Sequence, residues 1–340
     1  MAACLLGFTP VRASQALVIS CSPSNDLFRV LAAAGHSPQR YNTPGEAINA
    51  AAEGAGVLLL ADGYPAKTTA VDAGLFALAE QKKLRVYVEF PAWLPDLKFG
   101  PTKTANWERT VVASDAFGPG LAKMRLLMIQ DCHFLPVEVP KAHLVLARVA
   151  GFDSAAYGLP NKNVWPILFE HPRGGWLVAS TKLSQFVTAR YAPADAWSAV
   201  WQMILGWVAP EAAAPELKWT PTVRPTWSRN EPLSPDAERQ AIYRGVDWYT
   251  KARLFIHPDW PARLRTLDSD RVEPGPSADL PVGDGSLGIL EAFSSAIQTD
   301  GTQPVRYFAR ADCNSEAAMA LALRGRSEEH TSELQSRSDL

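Results

Sequence analysis

The chain has 340 residues, of which 47% are hydrophobic and 20% are charged, so it is long enough for about two globular domains. Lysine and arginine number 33 against 35 aspartates and glutamates, and a formal net charge of −2 lacks the basic surface that nucleic-acid binding requires. No apolar run approaches the ~18 residues of a membrane-spanning helix, the best candidate being Gly56–Ala61. We therefore expect neither a nucleic acid nor a membrane as a partner, whereas the sequence leaves a homo-oligomer open.

The cysteines and tryptophans further restrict the kinds of metal, disulfide and ligand site that the chain can form. Cys4, Cys21, Cys132 and Cys313 lie far apart and form no C-x-x-C motif, so the spacing supports neither a zinc site nor a disulfide framework. No metal and no cofactor are expected. The 11 tryptophans are a high count, and an indole can fill a core, anchor an interface or form a platform for a sugar ring.

The two ends of the chain look foreign or processed. Residues Arg326–Ser336 read RSEEHTSELQS, the in-frame translation of a common sequencing-library adapter. The match predicts that 326–340 are an artefact and that the natural gene continues past Gly325; the alternative is a natural polar tail. The apolar stretch Ala2–Phe8, followed by small-residue cleavage sites, predicts a signal-peptide remnant over 1–14 and a secreted or periplasmic protein. The alternative is a plain N-terminal lead in a cytoplasmic protein.

Short strands alternate with helices between residues 15 and 140. The predicted strands are Ala16–Ser20, Gly56–Ala61, Arg85–Phe90 and Arg109–Ala113, and the predicted helices are Asn25–Ala34, Pro44–Glu53 and Lys67–Lys82. Such alternation favours right-handed βαβ units around a shared sheet. The sequence therefore predicts an α/β fold, doubly wound or flavodoxin-like, with a mainly parallel sheet.

Further strands and one long helix complete this predicted domain, which spans 15–208. The strands are Arg125–Glu138, Ala142–Val149, Trp165–Glu170 and Gly175–Ser180, the last two joined by a turn at Pro172–Gly175. In the helix Pro193–Val208, Trp197, Trp201 and Trp207 recur at helical spacing. Such a stripe is more typical of a core than of a ligand platform.

A proline-rich linker is predicted over 209–232, because its five prolines favour extended backbone. Beyond it, over 233–325, the pattern becomes helical. One helix begins at Ser234 and Pro235, and two more are predicted at Leu287–Ile297 and Ser315–Leu323. This part of the chain is predicted to be an incomplete all-α region.

The segment Val164–Val208 resembles the end of glutamine-amidotransferase-like domains. The stretches PILFEHPRGGWLVASTKLSQF and AWSAVWQMILGWV carry the likeness. It is closest to the trehalose-utilisation-protein-like (ThuA-like) and β-galactosidase-trimerisation-like domains. Together with the strand–helix alternation, the resemblance covers 15–208 and implies an amidotransferase-like sheet.

The residues that amidotransferase chemistry needs are missing. Those enzymes expose a cysteine on a strained strand–turn–helix turn, normally G-x-C-x-G. Here Pro91 follows the central strand, and Arg173 stands where the His-Pro-Glu motif of the family has its acid. Cys132 and His133 are neighbours, but adjacent strand residues point to opposite faces. An amidotransferase or thiol hydrolase is therefore the least favoured function.

The region after residue 236 resembles the opening of a six-hairpin glycosidase, an (α/α) toroid. The stretches RGVDWYTKARLFIHP and DGSLGILEAFSSAIQTDGTQPVRYFARADCNSEAAMALAL carry this likeness. Only about three helices are present, where such a toroid closes a ring of about twelve, so the resemblance implies a truncated domain.

Glycoside cleavage requires two carboxyl groups, one protonated acid and one base or nucleophile. The resemblance implies three candidate catalytic residues, Glu291, Asp300 and Asp312. The candidate substrate-binding residues are Arg306 and Arg310, which could hold a uronate, together with Trp248, Tyr249 and Asp284. Turn signals, helix caps and helix packing are the alternative roles of these residues.

The sequence thus predicts a fragment of a carbohydrate-active enzyme, a glycoside hydrolase or lyase that acts on a polysaccharide. The fragment itself is expected to be inactive, because most of its catalytic ring would be absent. The alternative is a non-catalytic α/β module for sugar binding or oligomerisation.

Overall fold

A computed structural model of the chain describes residues 17–187, 191–222, 225–228, 231–268, 271–294 and 302–338. The chain divides into two compact units, Met1–Thr222 (unit 1) and Val223–Leu340 (unit 2). The predicted lead over 1–14 and the predicted catalytic residue Asp300 lie outside the described residues. Within the described part of the chain, no helix is long and apolar enough to cross a membrane.

Unit 1 contains a mixed ten-stranded sheet of order β12-β7-β6-β9-β10-β11-β4-β3-β1-β2. Its strands are β1 Val18–Ser20, β2 Gln39–Tyr41, β3 Gly56–Leu59, β4 Arg85–Glu89, β6 Arg109–Val112, β7 Leu126–Ile129, β9 Leu144–Ala147, β10 Trp165–Glu170, β11 Trp176–Ala179 and β12 Tyr191–Ala192. A separate ribbon pairs β5 (Lys103–Thr104) with β8 (His133–Phe134). The helices are α1 Asp26–Ala33, α2 Pro44–Ala50, α3 Ala73–Gln81 and α4 Ala194–Val208. The predicted α/β class is confirmed.

One half of the sheet is parallel. The strands β2, β1, β3, β4 and β11 pair in parallel, with Val18 opposite Val57 and Val57 opposite Val86. The side chains of β1, β3 and β11 are buried on both faces, as expected for strands covered by helices on either side, whereas the edge strand β2 is partly exposed. The predicted parallel sheet therefore holds for this half only.

The other half of the sheet is antiparallel, which corrects the prediction of a mainly parallel sheet. The strands β12, β7, β6, β9, β10 and β11 pair antiparallel in that order. A parallel pair needs a long crossover connection, usually a helix. The connections over 113–125 and 148–164 contain no helix, and the turn between β10 and β11 is closed by Gly174 and Gly175 at positive φ. The chain therefore folds back on itself at these points.

The tryptophan stripe of α4 lies in the core of unit 1. Trp197, Val200, Trp201 and Ile204 are fully buried, and Trp201 meets the ring of Tyr87 edge-on with ring centroids 5.7 Å apart. This confirms the structural interpretation of the stripe.

The helix predicted over Lys67–Lys82 begins later, at Ala73. Asp72 caps it by accepting a hydrogen bond from the Leu75 N–H at 2.8 Å. Thr69 cannot join the helix because its N–H donates to the Phe90 carbonyl at 2.8 Å, which holds that segment extended.

Unit 2 combines helices with a small sheet. Its elements are α5 Ala237–Lys251, α6 Ala262–Arg265, α7 Ala311–Ser338, β13 Val272–Glu273, β14 Ala292–Phe293 and β15 Val305–Arg306. The strands form an antiparallel sheet of order β13-β15-β14. Leu254, Trp260, Leu290 and Tyr307 lie in the core of this unit.

The predicted helix Leu287–Ile297 is wrong for the described residues 287–294, so the all-α prediction is not confirmed. Gly285 and Gly288 adopt φ of +93° and +86°, which breaks a helical path before it starts. The Leu290 N–H then donates to the Leu254 carbonyl at 3.0 Å, and β14 pairs with β15. Glycine-rich sequence and non-local pairing outweigh the apolar periodicity here.

The close contact between β3 and the end of α4 gives a stability test. A Cβ on Gly56 would lie 2.6 Å from Val208 Cγ1 and 2.7 Å from the Val208 carbonyl oxygen. Gly56→Ala should therefore lower the free energy of unfolding by about 1–3 kcal/mol in urea titrations. Gly206→Ala, in α4 with no heavy atom within 4 Å of the added Cβ, is the control and should be neutral or stabilising. Equal effects of the two substitutions would contradict this packing.

Candidate functional site

Open α/β sheets bind ligands beyond the carboxyl ends of their parallel strands. In unit 1 this edge holds Glu89, the last residue of β4, whose side chain is fully buried. Its Oε1 accepts hydrogen bonds from the N–H groups of Leu183 and Ser184 at 3.0 and 2.7 Å and from the Tyr87 hydroxyl at 3.1 Å. Its Oε2 accepts from the Ala61 N–H at 3.1 Å and the Ser184 hydroxyl at 2.8 Å. The carboxylate is thus saturated by donors from the protein itself.

The same network extends to α1. The Asn25 side chain donates to Ser184 Oγ at 3.0 Å and caps α1 by accepting from the Leu27 N–H at 2.9 Å. Burial raises the pKa of Glu89, while Lys182 and the donors around the carboxylate act in the opposite direction. The hydrogen bonds of Glu89 and Asn25 thus connect the segment after β3, the end of β4, the loop after β11 and the start of α1.

The turn after β4 has one residue with positive φ, and this residue is not a nucleophile. Phe90 adopts φ +47°, uncommon for a residue other than glycine, and its ring is 1% exposed. It packs edge-on against Tyr64 with ring centroids 5.1 Å apart. The residue that follows the central strand is therefore an apolar ring and carries neither a thiol nor a hydroxyl.

Cys132 is not an alternative nucleophile. Its sulfur is buried, 3.4 Å from Thr181 Oγ1, and burial raises its pKa to about 12, so the group stays a neutral thiol at physiological pH. The His133 ring bonds Thr104 Oγ1 through Nδ1 at 3.1 Å rather than the sulfur. The two neighbours form no nucleophile–base pair.

The predicted His-Pro motif is a structural turn. His171 is 2% exposed; its Nε2 donates to the Pro95 carbonyl at 2.8 Å and its Nδ1 accepts from the Arg173 N–H at 3.2 Å. Arg173, which replaces the acid of the family motif, forms an ion pair with Asp96. Both ring nitrogens of His171 are therefore occupied.

In unit 2 the structure brings together three of the predicted site residues. Arg310 Nη1 lies 3.5 Å from Glu291 Oε1, and Arg310 Nε donates to Asp312 Oδ1 at 3.1 Å. The pKa of Asp312 is lowered, first by the hydrogen bond from the Cys313 N–H and then by Arg310. Asp312 is therefore held ionised, the opposite of what a general acid requires.

The other predicted site residues that the structure describes have contacts of their own. Asp284 accepts a hydrogen bond from the Ser286 N–H at 2.9 Å, and its pKa is lowered, first by a hydrogen bond from the Ser286 side chain and then by this backbone contact. Trp248 is 44% exposed and its ring centroid is 5.9 Å from that of Phe293. Tyr249 packs against the core of unit 2, and Arg306 lies exposed on β15.

Unit 1 contains a cavity of about 400 Å³ that no sequence pattern predicted. It lies where β6 and β10 begin and β9 ends, beside the β5–β8 ribbon. We call it the cationic cavity. It is lined by Lys103, Thr104, Asn106, Glu108, Phe134, Arg148, Pro160, Lys162, Asn163 and Trp165. Three cations against one acid give it a net positive charge, with amide and hydroxyl groups between them.

The cations of the cavity differ in their partners. Arg148 pairs with Glu108 at 3.6 Å, and Glu108 also accepts hydrogen bonds from two backbone N–H groups. Lys103 Nζ lies 4.3 Å from the ring centroid of Trp165. Among the described residues, no carboxylate lies within 4.0 Å of the amines of Lys103 or Lys162, so both charges are available to an anion.

An exposed indole borders the cationic cavity. Trp107 is 75% exposed and, with Arg148, lines an adjoining shallow cavity of about 470 Å³. Its sequence signal is an isolated tryptophan in the polar stretch TKTANWER, outside any apolar periodicity. A single flat aromatic face next to cations and amides can bind a ring that carries both hydroxyls and negative charge.

No protein-family model, curated protein or solved structure matches the chain. The family resemblances of the sequence analysis remain predictions, and the function has to be argued from the chemistry of these residues.

The buried carboxylate provides a test of the structural role of the parallel edge. Glu89→Ala should lower the free energy of unfolding of unit 1 by about 3 kcal/mol or more, because it leaves buried donors unpaired. Glu89→Gln keeps one acceptor oxygen and should cost about half as much. Glu53→Ala, an exposed residue in a surface ion pair with Lys83, is the control and should change stability by less than about 0.5 kcal/mol. A harmless Glu89→Ala would show that the network does not hold the edge together.

Proposed function

We propose that unit 1 binds an acidic carbohydrate, the sugar-binding function that the sequence offers as its alternative to a glycosidase. The observation that carries this proposal is the position of the exposed Trp107 indole beside the cationic cavity. The groups of this site match the three parts of such a ligand, its apolar ring face, its hydroxyls and its negative charge.

Each part of a uronate has a partner in this arrangement. The C–H face of a sugar ring can stack on Trp107, in the way that apolar surface packs on an indole. The side chains of Asn106 and Asn163 offer donors and acceptors to hydroxyls. Lys103 and Lys162 supply positive charge to a carboxylate.

Affinity from such a surface site should be modest and sensitive to salt. Exposed ion pairs contribute only about 0.2–1 kcal/mol each. The attraction between exposed charges is screened over ~8–10 Å at physiological ionic strength. Discrimination against neutral sugars should therefore be strongest at low salt.

Calorimetric titration with a galacturonic acid hexamer tests the proposal. Trp107→Ala should weaken binding about fivefold to tenfold through lost stacking, and Lys103→Ala about fivefold in low salt. A glucose hexamer, which lacks the carboxylates, should bind at least tenfold more weakly than the acidic hexamer.

Two matched variants serve as controls for this titration. Trp93→Ala removes another exposed tryptophan, 41% accessible, and Lys98→Ala another exposed lysine, both outside the cavity. Each should leave the affinity unchanged. Absence of binding at millimolar concentrations, or equal losses in the control variants, would reject the proposal.

A second candidate is the glycosidase-like function predicted for unit 2. The observation in its favour is that Glu291 and Asp312 meet around Arg310. The ionised state of Asp312 leaves Glu291 as the only residue of this pair that could serve as the acid. This candidate is weaker than carbohydrate binding by unit 1, because the Cys313 N–H and Arg310 hold Asp312, one of the two carboxyls, in its ionised form.

A carbon-13 NMR titration of the side-chain carboxyls tests this second candidate. Asp312 should titrate below the ordinary aspartate pKa of 3.8. Arg310→Gln should bring that pKa part of the way back, since the Cys313 N–H still donates to the carboxylate. A pKa of Asp312 near neutrality would instead support an acid–base pair of the glycosidase kind.

A further inference from the structure

Three polar side chains meet where β6 and β10 end and β9 begins. This end of the strands is opposite to the end that carries the cationic cavity. Ser114 lies two residues beyond β6, His143 immediately precedes β9, and Glu170 ends β10. These strands are neighbours, and the pairings Val112–Leu144 and Leu168–Leu144 bring the three residues to the same edge of the sheet.

The backbone fixes the central residue of this group. The Ala113 N–H donates to the His143 carbonyl at 2.8 Å, and the His143 N–H donates to the Leu168 carbonyl at 2.7 Å. Phe117 packs edge-on against the imidazole with ring centroids 6.3 Å apart. The imidazole is therefore held on both sides by adjoining strands and covered by an aromatic ring.

The hydroxyl of Ser114 is in hydrogen-bond contact with the imidazole of His143. Ser114 Oγ lies 2.9 Å from His143 Nδ1 and accepts a weaker bond from the Ala116 N–H at 3.3 Å. Glu170 Oε1 lies 3.6 Å from His143 Nε2, and because a carboxylate only accepts hydrogen bonds, it favours the neutral tautomer with the ring proton on Nε2. In that tautomer Nδ1 accepts the hydrogen bond of the Ser114 hydroxyl.

The group is accessible and in the correct protonation state. The side chain of His143 is 18% exposed and that of Glu170 52%, and Ser114 is half-buried. Burial lowers the pKa of His143 and outweighs the opposite effect of Glu170, so the imidazole is a neutral base.

We propose that Ser114, His143 and Glu170 form a nucleophilic site that cleaves small acyl esters, with Ser114 as nucleophile, His143 as base and Glu170 as the residue that positions the imidazole. This site is distinct from the cationic cavity and is independent of the proposed carbohydrate binding. The arrangement has the roles of a serine–histidine–acid triad, with the two ring nitrogens exchanged.

The reaction balances with water as the only co-reactant. Ser114 Oγ bonds to the acyl carbon and its proton passes to Nδ1; the C–O bond of the ester breaks, and the alcohol leaves with that proton. Water then adds to the acyl carbon and gives a proton to Nδ1. The bond between Oγ and the acyl carbon breaks, the carboxylic acid departs, and Ser114 recovers its proton.

Labelling with a biotinylated fluorophosphonate, followed by peptide mass spectrometry, tests the assignment in the full chain. The label should be found on Ser114, through a new O–P bond with loss of fluoride. Ser114→Ala should abolish it, and His143→Gln should slow it at least about a hundredfold. Ser24→Ala and His36→Gln, which change exposed residues elsewhere, should leave the labelling rate unchanged.

Glu170 requires a separate readout, because its role is to position the base. With p-nitrophenyl acetate, Glu170→Gln should lower kcat about tenfold while KM stays within twofold, and Glu170→Asp should restore part of kcat. Thermal unfolding of every variant should match the wild type. Absence of label on Ser114 in the folded chain, or equal labelling of the Ser114→Ala variant, would overturn the proposal.

Discussion

The structure of unit 1 depends on one buried carboxylate. Glu89 accepts five hydrogen bonds from groups that belong to β3, to β4 and to the loop after β11, and Ser184 carries the network on to the cap of α1. Each of those donors would be costly to bury unpaired. The carboxylate thus holds together the carboxyl ends of the parallel strands, where open α/β sheets bind their ligands.

This constraint explains where the chemistry of the domain lies. Glu89 is saturated by protein donors, and Phe90 fills the turn after β4, so neither residue is available to a ligand. Both candidate sites of unit 1 lie in the antiparallel half. There, polar and aromatic side chains meet at both ends of β6, β9 and β10, with the cationic cavity at one end and the Ser114 group at the other.

Local sequence patterns predicted those helices and strands whose positions depend on interactions between residues close in sequence. Strand β10 and helix α4 lie where periodicity places them, and the cap residue Asn25 starts α1. The sequence could not reveal the antiparallel order of the second half, since that depends on helix-free connections and non-local pairing. The apolar spacing of 287–297 suggested a helix, yet glycine backbone geometry and pairing with β15 determine the outcome.

The candidate sites were less predictable than the fold. Glu89 looks like any acid within a strand, because nothing in RVYVEF shows that five donors converge on it. The cationic cavity draws on residues 103 to 165, which only the register of β6, β9 and β10 brings together. Trp107 alone carried a readable signal, an indole in a polar stretch.

We propose that the ligand binds in the cationic cavity of the antiparallel half and not around Glu89 in the parallel half. Two-dimensional proton–nitrogen NMR during titration with a galacturonic acid hexamer tests it most directly. We predict shifts at the Trp107 indole N–H and at the backbone amides of Lys103 and Lys162. Shifts confined to the amides of Ala61, Leu183 and Ser184, around Glu89, would contradict it.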